Sequence, residues 1–319
     1  MKRNWKNVVG KMQKTNLVED DVREAKPVAK VEKKAPSNIK VNTISVVPKE
    51  YDLNDEILEA LDAINKGEPV IYLAGKAGVG KSTFIHYLKT NMKKQTVFVA
   101  PTGIAALNIE GQTIHSFFRL PFKMVNIMED IKDRDDDLIH AIELIVIDEV
   151  SMVRADIMDA IDYSLRKWRK NQKPFGGVQM LFVGDCFQLE PVVTYREKQA
   201  FYERYRSPWF FDAEVFANTE MECIELKTIY RQKGKNFVKV LNNIRTKTNL
   251  MQTIVYLNKQ CVGKKQKSAL YLTPTNEMAN IVNRDELDAL KGEVITYNGY
   301  RSGYIKLKGE NLPVPEELN

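Results

Sequence analysis

Eight consecutive residues, Gly75-Lys76-Ala77-Gly78-Val79-Gly80-Lys81-Ser82, hold the densest chemistry in the chain. They satisfy G-x-x-x-x-G-K-[ST], follow the apolar run Val70 to Ala74 and open a helical stretch from Ser82 to Met92. Glycines at a strand-to-helix turn let successive backbone N–H groups, together with the positive end of the helix, surround a phosphate. The nucleotide-binding candidates are therefore Gly75, Ala77, Gly78, Val79, Gly80, Lys81, Ser82 and Thr83. Lys81 would reach the β and γ oxygens and the Ser82 hydroxyl would bind Mg²⁺, so ATP and Mg²⁺ are the expected cofactors.

Two further apolar runs end in polar chemistry. Leu144 to Ile147 stops at Asp148 and Glu149: Asp148 is a candidate Mg²⁺ ligand through the ion's water shell, and Glu149 a candidate general base on the attacking water. Met180 to Val183 stops at Gly184-Asp185-Cys186-Phe187-Gln188, where the neutral amide of Gln188 can touch both γ-phosphate and water without adding charge. Later, Tyr230-Arg231-Gln232 supplies Arg231, either an arginine brought onto transition-state charge, worth ~10³ to 10⁵ in rate, or an ordinary surface ion pair.

After the run Val97 to Ala100, the segments Pro101-Thr102-Gly103 and Thr113-Ile114-His115-Ser116-Phe117-Phe118 gather hydroxyls, a histidine and aromatics. Such a mixture suits a single-strand track in which phosphates are held and bases stack. Pro101, Thr102, Gly103, His115, Ser116 and Phe117 are the candidate nucleic-acid contacts, while adjacent Phe117 and Phe118 are equally open to core packing. The acidic stretch Glu129 to Asp137, interrupted by Lys132 and Arg134, reads as a solvated helix start rather than a metal loop.

These residues need strands and helices to hold them. Short apolar runs closed by Gly, Pro, Asp or Thr alternate with amphipathic segments, which predicts a parallel α/β sheet covered on both faces. One helix is legible from Arg154 to Lys170, where Ile157, Ile161, Leu165 and Trp168 form a stripe. A second α/β pattern is expected from Met221: a strand Cys223 to Leu226, a helix near Phe237 to Ile244, a strand Ala269 to Leu272 and a helix near Glu277 to Leu290.

The chain has 319 residues, 44% of them hydrophobic and 28% charged, enough for a sizeable core. Its net charge of +6 belongs to the first 50 residues, which carry 12 Lys+Arg against 6 Asp+Glu; the remaining 36 and 36 cancel. Residues 1 to 50 lack periodicity and read as a disordered basic arm, either a solvated leader or an attachment to DNA or another acidic surface. No apolar stretch reaches the ~18 residues of a membrane span, and Cys186, Cys223 and Cys261 form no C-x-x-C pair. An intracellular chain, cytoplasmic or nucleoid-associated and without structural zinc, is expected.

Taken in order, the Gly75 loop, Ala100-Pro-Thr-Gly-Ile-Ala-Ala, Thr113-Ile-His-Ser-Phe-Phe, Ile147-Asp-Glu-Val-Ser-Met, Gly184-Asp-Cys-Phe-Gln-Leu-Glu-Pro-Val and Tyr230-Arg-Gln resemble the successive motifs of the PIF-type superfamily-one helicases, relatives of the RecD-like enzymes. The resemblance runs from about residue 52 to residue 319, with Leu272-Thr-Pro-Thr-Asn276 and Asn283 similar to the family's segment after the arginine motif. It implies a P-loop NTPase fold: a RecA-like parallel sheet with helices on both faces, followed by a second RecA-like domain. It also implies single-stranded DNA and DNA junctions as partners, 5'-to-3' movement, and work in DNA repair, recombination or telomere maintenance. By motif matching, Lys81, Ser82, Asp148, Glu149, Gln188 and Arg231 take the roles given above, and Thr102 and His115 fall among the DNA-contacting motifs.

Two departures follow from the same comparison. Leu53-Asn54-Asp55-Glu56-Ile57 lacks the glutamine of the family's adenine motif, and no T-x-H-K-[AS]-Q-G run follows residue 290. The expected organisation is a basic arm over 1–50, a first RecA-like domain over 51–220 and an incomplete second over 221–319. The chain is then a monomer, or is completed by a further polypeptide segment. The alternative reading is a non-translocating, nucleotide-dependent single-stranded DNA binding or loading module.

Overall fold

The computed structural model describes residues 53–230, 234–263, 270–290, 292, 297–298 and 317–318. Six parallel strands form one sheet in the order β3-β2-β4-β5-β1-β6: β1 (Val70–Gly75), β2 (Thr96–Ala100), β3 (Gln112–Thr113), β4 (Leu144–Ile147), β5 (Gln179–Gly184) and β6 (Glu222–Leu226). Every residue of β4 and β5 is buried, as central parallel strands require. Successive side chains leave the sheet on opposite faces. Ile145 and Ile147 join one core cluster with Val99, Met180 and Phe182, whereas Leu144 and Val146 join the other with Ile71, Leu73, Leu181 and Val183.

Helices cover both faces. α1 (Asp55–Lys66) starts under the Asn54 side chain, which accepts from the Ile57 N–H, and stops at Gly67 in the left-handed region. It packs Ile57, Ala60 and Ile64 into the same cluster as α2 (Lys81–Asn91), which contributes Phe84, Ile85 and Leu88. Between β2 and β4 run four short helices: α3 (Gly103–Asn108), α4 (Ile114–Phe118), α5 (Ile127–Asp130) and α6 (Asp137–Ala141). The acidic stretch is thus helix-capping in part, since the Asp136 carboxylate accepts from the Ile139 N–H. The opposite face takes α7 (Ala155–Arg169), whose Ile157, Ile161, Leu165 and Trp168 are buried as the stripe predicts.

α7 also buries carboxylates that lie outside its apolar stripe. Asp159 accepts from the backbone N–H groups of Glu214 and Val215 at 3.1 Å each, and Asp162 from that of Phe175 at 2.6 Å. Asp159 fastens the long β5–β6 connection, which includes α8 (Lys198–Arg204), onto the core, and Asp162 fastens the turn that leads into β5.

The strand expected to open a second layer belongs instead to the first. β6 pairs with β1 in parallel, Ile71 opposite Glu222 through Gly75 opposite Leu226, and buries Ile224 and Leu226 beside Ile71 and Leu73. The side of β1 away from β5 needs a ladder partner, and β6 supplies it; a boundary at residue 221 would cut the sheet.

Two compact units divide after Thr253. The first, besides the sheet, holds α9 (Lys235–Arg245) and the start of α10 (Leu250–Cys261). The second, among its described residues, holds the rest of α10, α11 (Asn276–Asp288) capped by Thr275, and an antiparallel pair β7 (Tyr297–Asn298) with β8 (Glu317–Leu318). Of the strand expected over Ala269 to Leu272, residues 270–272 are irregular and Ala269 lies outside the described residues. No helix among the described residues is long and apolar enough to cross a membrane.

Candidate functional site

Because β4, β5 and β1 are adjacent, the loops leaving their carboxyl ends converge at one edge of the sheet, where open α/β sheets bind ligands. Neighbouring strands lie ~4.8 Å apart, so the ends of β1 and β4 are separated by about 10 Å with the end of β5 between them.

The glycine-rich loop leaves β1. Gly80, at φ +93°, is the N-cap of α2 and offers no side chain to the helix; the first turn holds no carboxylate, so the opening N–H groups stay free to meet an anion. Gly75 is required for a different reason. A Cβ there would lie 2.6 Å from Val79 Cγ2 and 3.2 Å from Leu226 Cβ, a contact a filled core cannot absorb.

Lys81 Nζ donates to the carbonyls of Gly75 at 2.7 Å and Lys76 at 3.1 Å, folding back over the loop. Burial lowers its pKa, opposed by the charges of Glu149, Asp185 and Asp148, so three carboxylates from two neighbouring strand ends act on this one ammonium. Ser82 and Thr83 are exposed in the first helical turn, and Ala77 is exposed at the loop's tip.

At the end of β4, Asp148 is 5% exposed. Burial pushes its carboxyl up to about 6, partly offset by the Glu149 N–H, which donates to Oδ1 at 2.9 Å. Glu149 itself sits at φ 49°, a left-handed conformation uncommon outside glycine, and is followed by a 3-10 turn over Val150–Met152. No group of three or more His, Cys, Asp or Glu side chains capable of caging a metal occurs among the described residues. One buried carboxylate and one exposed hydroxyl fit Mg²⁺, which keeps waters and takes substrate phosphates as further ligands.

At the end of β5, the Gln188 N–H donates to the Asp185 carbonyl at 3.0 Å, closing a turn that leaves the Gln188 side chain exposed. Arg231 lies outside the described residues. Its neighbour Tyr230 is docked on the glycine-rich loop: its N–H donates to the Gly78 carbonyl at 2.8 Å, its hydroxyl accepts from Asn54 Nδ2 at 3.1 Å, and its ring lies 3.8 Å from where a Gly80 Cβ would stand.

Beyond β2 and β3 the proposed track divides. Pro101, Thr102 and His115 line a groove of about 260 Å³ together with Phe122, Lys123, Met152 and Arg154. The Thr102 and Thr113 hydroxyls accept from Ala105 N–H and Ser116 N–H as helix caps, so each retains one proton to donate. His115 stacks on Phe122 at 4.7 Å with planes 12° apart, and its partial burial lowers its pKa. Gly103 and Ser116 are exposed near the rim.

Phe117 corrects the expectation of a stacking residue. It is 3% exposed, edge-to-face with Phe118 at 4.9 Å and covered by the Arg134 guanidinium, so no base reaches it. The aromatic that does face solvent is Phe122, 93% exposed, which spacing did not single out. Asp185 and Arg154 were equally silent as roles, although Asp185 stands inside a motif that the sequence displays.

Comparison with known proteins adds to this geometry. Residues 51–254 match the family described as PIF1-like helicase. The chain is similar to the ATP-dependent DNA helicase PIF1 of Emericella nidulans, 31% identical over 261 residues, covering 76% of this chain and 34% of that protein. It is similar to the Pif1 of Psychrobacter at 29% identity, covering 78% of this chain and 39% of that protein. Among solved structures, Pif1 helicase from Bacteroides in complex with ADP-AlF3 and ssDNA superposes with a TM-score of 0.73 at 31% identity, covering 85% of this chain and 64% of that one. The chain spans about a third of the length of the curated relatives it matches.

Proposed function

This chain belongs to the PIF1-like helicase family, and from that premise we propose that it is an ATP-dependent DNA motor, coupling Mg-ATP hydrolysis to 5'-to-3' movement on single-stranded DNA at junctions inside the cell. The observation that carries the proposal is the sheet order, which sets the glycine-rich loop with Lys81 and the carboxylates of Asp148, Glu149 and Asp185 at the carboxyl ends of three adjacent strands. The capture of ADP-AlF3 and single-stranded DNA by the similar Bacteroides helicase supports the choice of ligands.

In this reading the residues from Gly75 to Thr83 wrap the triphosphate with backbone N–H groups, and Lys81 exchanges its two loop carbonyls for β and γ oxygens. Asp148 and Ser82 would hold Mg²⁺, which would supply neutralisation of the triphosphate's charge. Glu149 accepts a proton from the attacking water, Gln188 orients that water, and Arg231 meets the transition-state charge. Pro101, Thr102, Gly103, His115 and Ser116 border the DNA track, with Phe122 as the exposed stacking face.

Titration with a fluorescent ATP analogue tests the reading. Wild-type chain should bind it in a magnesium-dependent manner and Lys81→Ala should not; equal affinity in the two would end the proposal.

A further inference from the structure

Gln188 sits at an exposed tip, between Phe187 and Leu189, which are 44% and 86% exposed. A water-orienting amide must be held to within about 0.5 Å of its working position, so something at the base of this tip has to fix it. The base is Asp185, 3% exposed; its Oδ1 accepts from the Phe187 N–H at 3.2 Å and its carbonyl from the Gln188 N–H at 3.0 Å.

Arg245, the last residue of α9, closes on the same point. Its Nη2 donates to Asp185 Oδ1 at 2.8 Å and its Nε lies 3.2 Å from Oδ2, a two-pronged pairing. The guanidinium also lies over the Phe187 ring, 4.1 Å from its centroid. One side chain therefore grips the carboxylate that shapes the turn and the aromatic next to the amide.

We propose that Arg245 is a positioning residue for hydrolysis: by clamping Asp185 and Phe187 it sets the turn that presents Gln188 to the γ-phosphate. This rests on the ATPase reading above. The clamp joins the β5 loop to α9 through one bidentate contact. A lysine would restore charge but neither the second prong nor the planar stack, and so would hold the turn less firmly.

The test compares a ground-state and a transition-state mimic on the same 319-residue chain. Affinities for a non-hydrolysable ATP analogue and for ADP with aluminium fluoride, each with magnesium and oligothymidylate, are measured for wild type, Arg245→Gln, Arg245→Lys, Gln188→Ala and the Arg245→Gln/Gln188→Ala double variant. Arg245→Gln should keep the ATP analogue within about twofold and weaken the transition-state mimic about tenfold or more. The double variant should be no weaker than Gln188→Ala alone, because Arg245 acts through that amide.

Equal losses for both mimics, an unchanged transition-state affinity, or losses that add in the double variant would each overturn the clamp. Should Arg245→Gln lose its cooperative melting transition, Arg245→Lys carries the test: the same selective pattern at smaller amplitude supports the clamp, and its absence overturns it. If wild type binds the aluminium fluoride complex no better than Lys81→Ala does, the ATPase reading itself has failed.

Discussion

Replacing Asp148 by asparagine should stabilise the nucleotide-free protein at neutral pH while removing its response to magnesium. In the folded chain the carboxyl titrates at about 6 instead of 3.8, chiefly because burial penalises the charged form. The folded pKa lies above the unfolded one, so the folded state holds the proton more tightly. The contribution is fully stabilising below about pH 3.8 and is lost as pH rises through about 6. By pH 7 the ionised carboxylate costs about 3 kcal/mol relative to low pH, a large fraction of the ~5 to 15 kcal/mol that holds an ordinary domain together. Asparagine has nearly the same shape, can still accept the Glu149 N–H through its amide oxygen, and carries no charge. Urea unfolding of wild type and Asp148→Asn in EDTA, at about pH 4.5 and about pH 7, should show the variant's advantage widening by about 2 kcal/mol across that interval. Adding magnesium and ATP should then stabilise wild type and leave the variant nearly unmoved. An advantage that is flat with pH, or an asparagine variant weaker than wild type at neutral pH, would refute the reasoning.

The aromatics beside the groove separate by burial: Phe117→Ala should cost ~3 to 5 kcal/mol of stability through its cavity, whereas Phe122→Ala should leave the unfolding midpoint unchanged and weaken oligothymidylate binding by ~1 to 3 kcal/mol. Chemical denaturation and fluorescence anisotropy read the two effects, and the reverse assignment would contradict the geometry. Gly75→Ala should cost ~1 to 3 kcal/mol and reduce nucleotide affinity, because its Cβ meets Val79 Cγ2 at 2.6 Å. Adding Val79→Ala should recover part of the stability; no recovery would place the cost elsewhere.

Much of this was legible in the residues because parallel strands buried on both faces leave unbroken apolar runs, and the chemistry sits where each run stops. Leu144 to Ile147 and the glycine-rich loop are readable for that reason. The membership of β6 was not readable, since Cys223 to Leu226 looks the same whether it starts a new sheet or completes an old one; only the ladder with Ile71 to Gly75 decides. Phe117 was a candidate contact, with core packing left open, and Phe122 was passed over, for a related reason. A pair of adjacent aromatics draws the eye, but α4 turns Phe117 inward with Ile114, while Phe122 follows Pro121 in an irregular segment that has no periodicity to read. α7 hid its function likewise: Asp156, Asp159 and Asp162 resemble a helix's solvated acidic residues until backbone N–H groups and Arg154 are found against them.

The sharpest distinction the fold adds concerns two aspartates that sequence presents alike. Asp148 and Asp185 each end a buried strand, each is at most 5% exposed, and the strands β4 and β5 are hydrogen-bonded neighbours. Asp185 is neutralised from within by the two prongs of Arg245 at 2.8 to 3.3 Å. Asp148 has no Lys, Arg or His within ion-pair distance among the described residues, and its carboxyl is pushed up to about 6. A buried carboxylate left without its own cation is costly, and under the proposed function the divalent ion that comes with the substrate phosphates would relieve that cost. The same physics that makes Asp185 a fixed strut leaves the Asp148 carboxylate uncompensated, so binding of magnesium and nucleotide should tighten the end of β4 and leave the end of β5 already in place. Amide exchange at Glu149 and Val150 should slow on adding magnesium and an ATP analogue, with little change at Phe187 and Gln188 until Arg245 is replaced.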